Sequence, residues 1–68
     1  MSENKSMGDL IKEYQEQIAV LERELIVVEK QIRAIPVNNH ELLRKKVIFE
    51  DMILDLKYGI ACMTEYLN

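Results

Sequence analysis

Tryptophan is absent from the chain, and cysteine, histidine, proline and phenylalanine occur once each. Each scarcity excludes something. Cys62 has no second thiol to pair with, and with no signal peptide evident it reads as a reduced intracellular thiol, a small hydrophobe packed among Ile60, Ala61 and Met63. One histidine, His40, and one cysteine cannot make a His/Cys zinc set. Two glycines are too few for a Gly-rich phosphate loop, and no Ser/His/Asp or Cys/His set suggests nucleophilic catalysis. Long apolar runs are missing as well. Leu25–Val28 is typical of the longest, so nothing resembles a membrane span. The expectation is a non-enzymatic cytoplasmic protein that needs no cofactor and has no membrane partner.

What the sequence has in quantity is period. Ile11, Tyr14, Ile18, Leu21, Leu25, Val28, Ile32 and Ile35 follow one another at alternating steps of three and four. That is a heptad seam, with Ile11, Ile18, Leu25 and Ile32 at a and the others at d. A helix carrying it is about 40 Å long at roughly 1.5 Å per residue, and its apolar stripe requires a partner helix.

In chain order, Met1–Lys5 is polar and reads as a frayed leader. Ser6 stands where a helix cap belongs, with Asp9 three residues on. The first helix is predicted over about 7–35, ended by Pro36, which disfavours helical geometry in the residue before it and has no N–H to donate. Residues 36–40 form the turn. Asn38, with Glu41 three residues later, repeats the capping pattern for a second helix over about 41–66. Its seam has Leu42, Phe49, Leu56 and Met63 at d and Ile53, Ile60 and Leu67 at a, interrupted by Lys46 at an a position. A lysine there can lay its methylenes on the stripe with its ammonium in water. Gly59 costs about 1 kcal/mol in a helix interior, which is explained either by a close helix contact or by drift. The fold class is therefore all-α, a single antiparallel, coiled-coil-like helical hairpin.

One hairpin buries one stripe per helix, yet more apolar residues lie elsewhere. Ala19, Val20, Ile26 and Val27 occupy b and c positions of the first helix, as Val47, Ile48, Leu54, Ala61 and Cys62 do in the second, and Met52 and Tyr66 widen the flank of its seam. At this length a chain without staples has little core to spare. Homo-oligomerisation, most simply two hairpins in a four-helix bundle, supplies the missing burial. The residues expected at an oligomer or partner interface are Val20, Ile26, Val27, Val47, Met52, Leu54 and Tyr66.

Charge is segregated. Between residues 30 and 46, Lys30, Arg33, Arg44, Lys45 and Lys46 stand against Glu41, a balance of plus four, which leaves minus seven for the rest of a chain whose net charge is minus three. The turn end is basic and the body acidic. Lys30, Arg33, His40, Arg44, Lys45 and Lys46 are candidates to contact an anion or a partner at the start of the second helix. The alternative is that Lys30 and Arg33 answer a helix dipole and Arg44, Lys45 and Lys46 form a solvated face. Glu50, Asp51 and Asp55 fall outside the seam and read as solvated rather than metal-binding, and Tyr14, Tyr58 and Tyr66 as core or interface rims.

The run Glu50-Asp51-Met52-Ile53-Leu54-Asp55-Leu56-Lys57-Tyr58-Gly59-Ile60, followed by Met63, resembles a helical segment of the form E-x-M-I-x-D-L-x-Y-A-I-x-x-M. That segment belongs to small sigma-factor-like regulators of Gram-positive phages and prophages. These 68 residues hold neither the Gly-Arg-rich continuation nor the helix-turn-helix domain that follow it there. The resemblance implies a phage or mobile-element origin, hence host cytoplasm, and a protein that regulates or inhibits a host protein, such as a defence factor, by binding it. The rival expectations are an oligomer holding a nucleotide-like anion at its basic end, and a transcription or replication accessory touching nucleic acid there.

Overall fold

A computed structural model of the chain describes residues 6–67, and the polar leader expected at Met1–Lys5 lies outside them. Helix α1 spans Met7–Ala34 and helix α2 spans His40–Leu67, each 28 residues long. They pack antiparallel as a flat hairpin of 49 × 26 × 14 Å. The described residues contain no strand.

The ends of the helices follow local chemistry. Ser6 has extended backbone, and its Oγ accepts from the Asp9 N–H at 3.1 Å while its carbonyl accepts the first helical bond from Leu10. One of the unpaired donors of the first turn is thereby satisfied. At the other end the Ile35 N–H still donates to the Gln31 carbonyl at 2.9 Å, but Ile35 itself has φ −123° and ψ 85°. That is non-helical geometry, as Pro36 disfavours the α region in its predecessor.

The turn departs from the sequence expectation by one residue. Asn38 is not the cap of α2: it takes φ 55°, a left-handed conformation that asparagine tolerates better than most residues. The first helical bond of α2 runs from the Leu43 N–H to the Asn39 carbonyl, so the cap position falls on Asn39 and the helix opens at His40.

Between the helices the seam is nearly as expected. Ile18, Val28 and Ile53 are buried, and Ile11, Tyr14, Leu21, Leu25, Ile32, Leu42, Phe49, Leu56, Ile60 and Met63 are half-buried. Two positions fail. Ile35 is 49% exposed because the helix ends before it, and Leu67, in the last turn of α2, is 57% exposed because α1 offers it little cover. Gly59 marks a close approach. A Cβ there would lie 2.9 Å from Cε2 and 3.4 Å from Cδ2 of Tyr14, so the ring occupies the space an alanine would need.

Two stability outcomes follow. Gly59→Ala removes a helix-interior glycine yet should not deliver the gain of about 1 kcal/mol expected from propensity. The same change made in a Tyr14→Ala background should recover it, and denaturant melts of the four proteins give the coupling. Ile53→Asp buries an unpaired carboxylate at a cost of several kcal/mol and should abolish the circular-dichroism signal of the folded hairpin, whereas Glu16→Asp, on the outer face, should leave the melt unchanged.

Candidate functional site

A heptad places b and e positions on one flank of the seam and c and g positions on the other, so an antiparallel hairpin has two broad faces. Both are apolar here. The c/g face carries Val20, Val27, Ile48, Met52 and Tyr66, all exposed, and a groove lined by Glu13, Glu16, Gln17, Val20, Leu21 and Met52 runs along it. The b/e face carries Ile26, Leu43, Val47 and Leu54, which are 44–63% exposed, above a groove lined by Glu22, Leu25, Glu50, Ile53, Leu54 and Lys57. All seven residues expected at an interface are therefore exposed, divided between opposite faces.

The faces differ in charge. Lys57 Nζ lies 3.9 Å from a Glu22 carboxylate oxygen, and Lys46 Nζ lies 4.0 Å from one of Glu29. Glu22, Glu29 and Lys57 are e positions, so both ion pairs bridge the helices along the b/e flank and hold their register there. Each is solvated and worth under about 1 kcal/mol. These pairings, like the exposure of Leu43, depend on which e positions the turn brings opposite each other, and apolar or charged residues at e were the only signal for them.

Cys62 is exposed rather than packed as a small hydrophobe. Its c position faces away from α1, and it lines a shallow hollow with Met7, Met63 and Tyr66. Tyr58 and Tyr66 are 73% and 81% exposed, whereas Tyr14 belongs to the seam. Asp51 and Asp55 are exposed and Glu50 half-buried at its edge. Among the described residues no group of three His, Cys, Asp or Glu side chains is arranged to hold a metal ion.

The basic residues do not converge on one pocket. A hollow at the turn is lined by Asn38, Asn39, His40, Glu41, Leu42 and Lys45, so a carboxylate sits inside it, while Lys30, Arg33 and Arg44 are exposed outside it. Lys46 is half-buried and directed across the hairpin to Glu29. The lysine does lie along the seam, as its position requires, but its ammonium meets a carboxylate and not water alone.

No helix among the described residues is long and apolar enough to cross a membrane. No protein-family model, curated protein or solved structure matches the chain.

Replacing Lys46 by leucine exchanges one solvated ion pair for an aliphatic layer beside Phe49 and Leu42. Lys46→Leu should therefore raise the melting temperature, since the lost pair is worth less than the apolar area gained. A polar residue at an a position also restricts pairing, so the same variant should populate more than one assembly in light scattering.

Proposed function

We propose that this chain is a non-enzymatic binding module, a homo-oligomeric helical hairpin that regulates or inhibits another protein by docking on it. The observation that carries this reading is the ratio of buried to exposed apolar side chains. Among the described residues three are buried, while thirteen large hydrophobic residues are exposed, most of them on the two broad faces. A patch pattern of this kind is used for association, not left in water. The chain exposes 5477 Å² for a mass of 8.0 kDa, whereas a compact monomer of that mass exposes about 4,500 Å².

Two hairpins closed into a four-helix bundle cover one face of each and leave the other for a partner. The resemblance of residues 50–63 to the helical segment of small phage regulators supports a phage or mobile-element origin, a host cytoplasmic setting and a host protein as target. The anion-binding and nucleic-acid readings draw less support, because Lys46 is engaged with Glu29 and Glu41 lies within the hollow at the turn.

The test is affinity capture from host extract, with the wild-type chain and Val47→Asp as baits, beside titration with short DNA and a nucleotide panel at two salt concentrations. One host protein retained in stoichiometric amount by the wild type, lost with Val47→Asp and reproduced with the purified partner, is the expected result. Saturable, salt-sensitive binding of DNA or nucleotide with no protein retained would contradict the proposal.

A further inference from the structure

We propose that the half of the c/g face remote from the turn is the docking groove for the partner, and that it takes a cationic amphipathic helix of that protein. This rests on the protein-binding reading above and adds the face and the chemistry of what lies on it. The groove between Val20 and Met52 shares Glu13 and Glu16 with a second hollow that also holds Asp9 and Lys12. Together they form one surface from Asp9 to Val20. That is about 17 Å at roughly 1.5 Å per residue, or three turns of a partner helix. Its floor of Val20, Leu21 and Met52 is aliphatic, and its rim is acidic.

Charge selects the face. At c and g positions between Leu10 and Glu24 and between Met52 and Tyr66 stand Glu13, Glu24 and Asp55, with no lysine or arginine, and Asp9 and Glu16 lie on the outer flank beside them. Glu13 is already engaged within the chain, so the attraction falls to the other four, all of them exposed. Lys12 and Arg23, at the margin, offset part of it. The b/e face mixes its signs instead: Lys12 and Lys57 stand against Glu22 and Glu50, and Lys57 lies 3.9 Å from Glu22. A field of one sign draws and orients a partner of the other. The bundle proposed above leaves one face of each hairpin for a partner. The sign of its charge makes that the c/g face and leaves the b/e face, with Val47, to the second copy. A second copy would complement the groove poorly, because its own c/g face carries the same acids, Glu41 and one base, Lys45.

The class of occupant follows from the lining. Peptides add to exposed strand edges, enter aromatic-lined grooves as polyproline helices, meet arginine clusters as acidic or phosphorylated motifs, or lie in apolar grooves as amphipathic helices. The described residues contain no strand, and the two hollows are lined by no aromatic residue and no arginine. The fourth mode fits. A helix with apolar side chains at i, i+3, i+4 and i+7 over Val20, Leu21 and Met52, and lysine or arginine along its flanks towards Glu16 and Glu24, matches both floor and rim.

The probes are three peptides of about 18 residues, five helical turns. One has leucine at i, i+3, i+4 and i+7 with lysine on the flanks, one has glutamate in place of the lysines, and one keeps the lysines but scatters the leucines. Binding to the full chain is followed by fluorescence anisotropy at two salt concentrations and by amide chemical shifts. The first peptide should saturate, bind at least about tenfold tighter than either of the others, weaken with salt, and shift amides around Gln17, Val20 and Met52. Glu16→Lys and Val20→Asp should each weaken it about tenfold at unchanged helicity, whereas Glu22→Lys, the same change of charge on the b/e face, should stay within about twofold of the wild type. Equal binding of the scattered peptide would reduce the effect to charge attraction and overturn the groove. Equal binding of the glutamate peptide, or shifts centred on Val47 and Leu54, would overturn the choice of face. The same shifts on concentrating the chain without peptide would seat a second copy in the groove and overturn the occupant. Any of these failures beside a host protein that is still captured leaves the protein-binding reading standing, whereas a host extract that yields no protein removes that reading and this inference with it.

Discussion

The limiting constraint is the width of the seam between α1 and α2. A two-helix interface buries one stripe of each partner, and among the described residues only Ile18, Val28 and Ile53 are buried. Burying a large aliphatic side chain is worth about 1.5 to 3 kcal/mol, so three such residues and a half-buried margin leave little net stability once two long helices have been ordered. The exposed valines, isoleucines and leucines outside the seam are burial that the hairpin alone leaves unused. Their placement on opposite faces is what the proposed association with other chains rests on.

Around that seam the remaining interactions act as register devices more than as sources of stability. The Ser6 cap starts α1, and Pro36 stops it by forcing Ile35 out of helical geometry. Asn38 reverses the chain in a left-handed conformation. Gly59 lets Tyr14 lie against the backbone of α2, which sets the spacing near the open end, while Lys46–Glu29 and Lys57–Glu22 tie the helices along one flank.

Much of this was legible in the residues. The three-four spacing from Ile11 to Ile32 requires a helix and marks its inner face, and a single proline between two such patterns requires a hairpin. The cap of α2 was not legible, because Asn38 and Asn39 are equally good caps and only the turn decides which of them takes positive φ. The exposure of Cys62 was hidden because apolar neighbours in sequence are not neighbours in space on a helix: its c position points away from the seam that Ile60 and Met63 join. The ion pairs depend on which e positions the turn sets opposite each other, a property of the closed hairpin. For the candidate site, the exposed apolar residues could be named from heptad positions alone. Their division between the flank that carries Lys46–Glu29 and Lys57–Glu22 and the flank opposite needed the fold, and an aliphatic surface carries no chemistry that names its partner.

The most direct test is sedimentation of the full chain across a concentration series, with helicity recorded on the same samples. If the two broad faces supply the burial that the seam lacks, the mass exceeds that of the 8.0 kDa chain at micromolar concentration, and helicity falls as the assembly dissociates on dilution. A particle of about 8 kDa that keeps full helicity at every concentration would contradict that dependence, because the seam alone would then suffice and the exposed faces would need no partner.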